Sequence, residues 1–213
     1  MTQLRSEGLA PGLDVQGPVA TLTLRRPARL NCLRPDDLHE LQRHCARINE
    51  EPAIRVVIFT ADTAGQSRPV FSAGFDIAGF DDGDHDPHLF ERTVDALAGL
   101  RPVLIAGLNG SVYGGATDLV LACDLRLGLP QISWRMPACA LGLHYYPCGL
   151  KRYLQAFGTE RTRQLFLTAE TVGSEQLHQW SVLMALVDPS DWSARLTALA
   201  QQVAALAPLA AQG

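Results

Sequence analysis

Apolar residues recur along this chain with two periods, and the switches between them lay out its elements. Val19 to Leu24 alternates apolar and polar positions, which predicts a strand, and Arg25-Arg26-Pro27 ends it. Pro35-Asp36-Asp37 opens a helix in which Leu38, Leu41, Cys45 and Ile48 recur at helical spacing. Ile54 to Thr60 is a strongly apolar strand, and strand, helix, strand in this order points to parallel pairing. Ala61 to Pro69 is a polar loop, and Leu89 to Leu100 predicts a helix with Phe90, Val94, Leu97 and Leu100 inward. Pro102 to Leu108 is a continuous apolar run, the pattern of a buried strand. Ala116 to Cys123, interrupted only by Thr117 and Asp118, reads as a buried helix. Leu150 to Phe157 and Glu160 to Leu167 read as two helices, the first stopped by Gly158. Ser174 to Trp180 and the Ala/Leu-rich Trp192 to Leu206 are further helices. With no internal repeat and no linker, the expectation is one domain over 1–213, its core at about 19–187 and a helical tail at 188–213.

Between the strand at 102–108 and the helix at 116 lies Asn109-Gly110-Ser111-Val112-Tyr113-Gly114-Gly115. A strand, a glycine turn and a helix leave unpaired N–H groups at the helix start, facing whatever space the turn borders. Gly114 and Gly115 carry no Cβ, so a ligand atom can approach the backbone closely. Asp118 follows in the first helical turn. Backbone donors beside a carboxyl group suit a substrate whose carbonyl oxygen gains negative charge while a proton moves nearby. The plainer reading of Asp118, an acid satisfying a helix N-terminus, stays open beside that one.

Charge and cysteine content narrow the partners. The 213 residues are 47% hydrophobic, enough for a substantial core, and the net charge is −4, so no basic surface argues for nucleic acid or an anionic membrane. Met1 to Gly17 has charges at Arg5, Glu7 and Asp14 and no sustained apolar run, so it is not read as a signal peptide; no later run is long enough to span a bilayer. Cys32, Cys45, Cys123, Cys139 and Cys148 are scattered without CxxC spacing, which is the usage of reduced thiols in a cytoplasmic protein. Asp81-Asp82-Gly83-Asp84-His85-Asp86-Pro87 tempts a metal reading and fails as a calcium loop, because Pro87 sits where glycine is needed and no bidentate Glu closes it. It reads as a solvated loop, and no metal site is expected.

A second motif, Val70-Phe71-Ser72-Ala73-Gly74-Phe75-Asp76-Ile77, precedes the glycine turn. With both in view the chain resembles the enoyl-CoA hydratase/isomerase (crotonase) family, whose members carry F-[SC]-[AS]-G-x-D-[IL] and N-G-x-x-x-G-G-G-x-[ED]-L. The resemblance runs from about Val19 to Val187. It implies an α/β crotonase-like (ClpP/crotonase) spiral of ββα units with C-terminal helices. It also implies that the N–H groups of Phe75 and Gly115 hold an acyl-CoA thioester oxygen, with Asp118 as the leading general acid/base. Arg25-Arg26-Pro27-Ala28-Arg29-Leu30-Asn31 matches the family's R-P-x-x-L-N segment, which lies along the CoA. The resemblance thus places Arg29 and Leu30, together with Ala73, Asp76 and Ile77, against coenzyme A. Guanidinium forks suit phosphate oxygens, so Arg26 and Arg29 can meet phosphates; surface arginines at a strand end are the equal alternative. Cys123-Asp124-Leu125-Arg126 resembles the family's C-D-[IL]-R strand, where Asp124 and Arg126 read as structural.

Four departures shape the functional expectation. Hydratases place a Glu directly after the proline at 137, and this chain has Ala138. His144, Tyr145 and Tyr146 stand where hydratases carry a glycine-rich turn. They are candidates for a catalytic role, with packed, hydrogen-bonded aromatics as the alternative. Ser181 replaces the family's usual glycine cap, and family members generally continue through further helices beyond the point where this sequence stops. The expected activity is an acyl-CoA enzyme that stabilises a thioester enolate, an isomerase or lyase more than a hydratase, because adding water across a double bond needs two coordinated proton transfers. The alternatives are an acyl-CoA decarboxylase, since Tyr145 falls where methylmalonyl-CoA decarboxylases place a tyrosine, and a catalytically silent CoA-binding or assembly paralogue. The expected partners are an acyl-CoA thioester and further copies of the chain, as a trimer or hexamer by resemblance. Coenzyme A enters as part of the substrate, with no prosthetic group, nucleic acid or membrane.

Overall fold

The computed structural model describes residues 8–76 and 86–211, without the Leu209 side chain. Ile77 and most of the acidic loop, residues 81–85, lie outside the described residues. Its strands are β1 (Leu9–Gln16), β2 (Val19–Arg25), β3 (Val56–Ala61), β4 (Val70–Ser72), β5 (Val103–Leu108), β6 (Ser111–Tyr113), β7 (Leu125–Gly128), β8 (Ser133–Arg135), β9 (Thr171–Gly173) and β10 (Ala185–Leu186). The helices are α1 (Pro35–Glu50), α2 (Leu89–Ala98), α3 (Ala116–Leu121), α4 (Pro147–Thr168), α5 (Ser174–Gln179), α6 (Trp192–Ala204) and α7 (Pro208–Ala211). They form the expected α/β architecture. A six-stranded sheet runs β1-β2-β3-β5-β7-β10 and a four-stranded sheet runs β4-β6-β8-β9.

In the larger sheet only β1 is antiparallel; β2, β3, β5, β7 and β10 pair in parallel. Strand alternation divides their side chains between two faces. Val57, Phe59, Leu104 and Leu22 join Leu38, Leu41 and Ile48 of α1 and Phe71 of β4 in the main core. Val56, Ile58, Ile105 and Leu127 face Leu196, Leu199 and Ala200 of α6. All four apolar positions expected of α1 are buried. Val94 and Leu97 of α2 are buried, whereas Phe90 and Leu100, the latter two residues past the end of the helix, are only partly so.

Two differences from the sequence reading have physical causes. Pro11 and Gly12 hide β1 from a propensity reading. As an edge strand it tolerates proline, and Gly12 lets the Arg25 side chain cross it to donate to the Ala10 carbonyl at 2.8 Å. The glycine motif also holds an extra strand, β6, because the chain leaves one sheet for the other at Asn109-Gly110. Gly110 permits the crossing: a Cβ there would lie 2.6 Å from the Phe71 nitrogen. The two helices expected at 150–167 lie end to end as α4, broken at Gly158 by φ 70°. Ser181, expected in place of a glycine cap, holds φ 61°, the left-handed conformation glycine would favour.

Candidate active site

The two motifs meet edge to edge. Leu33 donates to the Gly74 carbonyl at 2.8 Å, Ala73 to the Leu30 carbonyl at 2.9 Å and Asp76 to the Leu33 carbonyl at 2.8 Å, so the arginine-proline segment and the β4 motif form one backbone unit. Buried Asn31 fastens it further, its amide donating to the Asp62 carbonyl at 2.9 Å while its oxygen accepts from the Arg26 N–H at 2.8 Å. Gly74, at φ 96°, lies so close to the second motif that a Cβ would stand 2.7 Å from the Tyr113 carbonyl oxygen and 3.1 Å from the Gly115 nitrogen. Only glycine fits that approach. The N–H of Gly115, directly ahead of α3, has no hydrogen-bond acceptor among the described residues. Phe75 adjoins Gly74, so the two expected donor residues belong to abutting segments.

Asp118 is wholly buried, at 0% exposure. Its carboxylate is held by Arg152 of α4, whose Nε donates to Oδ1 at 2.7 Å and whose Nη2 donates to Oδ2 at 3.0 Å. The Tyr146 hydroxyl donates to the same Oδ2. Three donors thus take most of the four or so acceptor positions of a carboxylate. The remaining fork of the guanidinium reaches Asp95 of α2 at 2.9 Å. Burial works against the charge on Arg152, and the hydrogen bonds to Asp118 outweigh it, so its pKa is raised. Burial, then the charge of Asp118, pushes the Tyr146 phenol above the usual tyrosine range. Tyr146 therefore serves as a neutral donor throughout the physiological range.

Tyr145 stacks on Tyr146 with ring centroids 4.7 Å apart and leans on Phe166 at 5.4 Å. Its hydroxyl is buried without a hydrogen-bond partner among the described residues. Gly149, one turn into α4, makes room for both neighbours: a Cβ there would meet Tyr145 Cε1 at 2.4 Å and Asp118 Oδ2 at 2.8 Å. Behind them Thr117 bonds the Tyr153 hydroxyl, and Tyr153 stacks on Phe157. His144 is exposed, as are Arg29 and Leu30, while Ala73 and Asp76 are half-buried. Arg26 turns its Nε to both oxygens of Asp37, at 3.0 Å each. Ala138 is buried at the start of a short 3-10 turn.

Arg152, Phe90 and Gly149 were not singled out from the sequence. Arg152 had a legible signal, because it sits between buried Gly149 and Tyr153 on the inward face of α4, and a cation on an inward face asks for a buried partner. Phe90 gave none beyond its place in an apolar stripe.

The two-sheet α/β scaffold is shared with known relatives. A family model described as enoyl-CoA hydratase/isomerase matches residues 14–212, and the chain belongs to that family. The short-chain-enoyl-CoA hydratase of Clostridium acetobutylicum is 26% identical over 203 residues, covering 93% of this chain and 76% of the relative. The crystal structure of an enoyl-CoA hydratase from Bacillus anthracis superposes with a TM-score of 0.85 at 24% identity, covering 96% of this chain and 80% of that one. A methylmalonyl-CoA decarboxylase in complex with 2-nitronate-propionyl-CoA superposes with a TM-score of 0.87 at 22% identity, covering 96% and 78%. At these identities the two structures speak for the fold. Among the described residues no helix is long and apolar enough to cross a membrane.

Proposed function

We propose that this protein acts on an acyl-CoA thioester as an enolate-stabilising isomerase or lyase, and that it is a poor hydratase. The thioester oxygen sits between the N–H groups of Phe75 and Gly115, where each donor is worth about 2.7–4 kcal/mol once negative charge develops. Arg29, Leu30, Ala73 and Asp76 line the coenzyme A path. The observation that carries the reading is the state of Asp118: it has no exposed surface, and three donors hold it. A carboxylate so enclosed meets no water directly, and Ala138 supplies no second acid or base. Tyr146, half-buried and hydrogen-bonded to Asp118, is the group that meets the acyl chain: as its oxygen takes the substrate's α-proton its own O–H proton passes to Asp118, and the reverse transfer returns a proton to the product. Asp118 and Arg152 are then positioning residues, and Tyr145 completes the wall.

Decarboxylation needs no base and stays a second reading for that reason. Against it, Arg152 divides its forks between Asp118 and Asp95 and keeps none for a substrate carboxylate. A silent CoA-binding subunit is the reading left if no thioester turns over. The test is a panel of crotonyl-CoA, a β,γ-enoyl-CoA and a β-carboxyacyl-CoA, together with α-proton exchange of butyryl-CoA in D2O. Isomerisation or exchange that is lost in Tyr146→Phe supports the proposal. Crotonyl-CoA hydration at about 10 s⁻¹ or faster, the median of enzyme turnover, overturns it.

A further inference from the structure

Phe90 lies on the inner stripe of α2, four residues before Val94 and seven before Leu97, yet unlike Leu89, Thr93, Val94 and Leu97 it is only half-buried. Its ring does not turn to solvent. It points tip-first at the glycine pair: a Cβ built on Gly115 would stand 2.6 Å from Phe90 Cζ, 3.1 Å from Cε2 and 3.2 Å from Cε1. On that side of Gly115 there is less room than a single carbon atom needs. The same ring lies 5.7 Å from the Phe75 ring and 6.3 Å from the Tyr146 ring, centroid to centroid. One side chain therefore touches the residue after Gly74, the glycine that opens α3 and the tyrosine that binds Asp118. An acyl chain leaving a thioester carbon held at Gly115, and running toward Tyr146, meets this ring within its first few carbons.

We infer that Phe90 is the specificity-determining residue of this site and that it restricts the substrate to a short acyl group. The inference rests on the thioester reading above. It also separates two kinds of aromatic around the site. Tyr145 and Tyr146 are braced from behind by Phe166 and Arg152 and form a fixed wall. Phe90 is partly exposed, carries no polar group and takes no part in the hydrogen-bond network, so trimming it removes bulk and leaves the chemistry of the wall in place.

The experiment is calorimetric titration of the full chain and of Phe90→Ala with free CoA, butyryl-CoA and octanoyl-CoA. Each methylene buried is worth about fourfold in affinity. In the wild type the four extra methylenes of octanoyl-CoA are expected to bring no tightening over butyryl-CoA. In Phe90→Ala the ratio of octanoyl to butyryl affinity is expected to rise by about tenfold or more. Should Phe90→Ala fail to fold by circular dichroism, Phe90→Leu shortens the ring and keeps an apolar contact with Phe75, and a smaller rise of the same ratio is expected. Thioesters that bind with an unchanged ratio in the variant, or a wild type that already prefers octanoyl-CoA, overturn the inference and leave the thioester reading standing. If neither free CoA nor any thioester binds either protein, the thioester reading fails and this inference fails with it.

Discussion

The two walls of the site are made of different material. One is main chain: Gly74, Gly114 and Gly115 bring two backbone segments into contact, and backbone hydrogen bonds with Leu30 and Leu33 hold the first of them. The other is side chain: Tyr145, Tyr146 and Asp118 are held over Gly149 by one arginine from α4. The first wall spreads its stability over many backbone bonds, so no single side chain decides it. The second concentrates its stability in a buried ion pair, whose net worth is small while intact and whose loss is costly when one partner is removed.

Arg152→Met is the sharpest way to break that contrast. It leaves Asp118 buried without a counter-ion, and the expected cost is about 3–5 kcal/mol in urea unfolding. Arg152→Met combined with Asp118→Leu removes both charges and is expected to recover most of that loss. A cost below about 1 kcal/mol for the single variant would show that the side-chain wall is not organised by its arginine.

Gly149→Ala comes next. The new methyl would have to displace Tyr145 or the Asp118 carboxylate, and overpacking of this kind costs about 1–3 kcal/mol. A denaturation midpoint unchanged from wild type would mean that the wall gives way freely.

The stacked tyrosines then test each other. Tyr146→Phe removes a hydrogen bond to a charged group, an expected loss of about 1.5–3 kcal/mol, with turnover falling too. Tyr145→Phe removes a buried hydroxyl without a partner and is expected to change stability by less than about 0.5 kcal/mol. Equal losses in the two variants would erase the distinction drawn between them.

The smallest effect is one of pH. Burial, and after it the Asp118 charge, raises the Tyr146 phenol in the folded state. A raised folded pKa contributes stability that is complete below the unfolded value of about 10 and is lost as pH rises through the folded one. Unfolding free energy measured from pH 8 to pH 11 should therefore fall at the alkaline end, and fall less in Tyr146→Phe.

This contrast also explains what could be read from the chain beforehand. The main-chain wall was legible because glycine at a close approach has no substitute; Gly74, Gly114 and Gly115 stand in contiguous motifs. The strands β2, β3 and β5 and the helices α1 to α6 were legible through their apolar patterning, whereas the short strands β4, β6, β8, β9 and β10 were not. Asp118 was legible as a residue but not as a partner. Its contacts come from positions 28 and 34 residues away, and nothing in local spacing announces them. The sequence reading names Tyr145 and Tyr146 together as candidates, and only packing over Gly149 decides that Tyr146 is the one bonded to Asp118. β1 was missed because edge position, not propensity, makes Pro11 and Gly12 acceptable in a strand.

The arginine that joins three helices also sets when the site comes into being. Arg152 bridges to partners 34 and 57 residues earlier in the chain, so its bonds close only after α2, α3 and α4 have docked on a sheet of crossover-connected parallel strands. Contacts of such long sequence separation form late, because their loop-closure entropy must be met first. Interactions absent from the transition state act on the unfolding rate. In a chevron plot Arg152→Met is therefore expected to steepen loss from the native side, raising the unfolding rate while leaving the folding rate nearly unchanged.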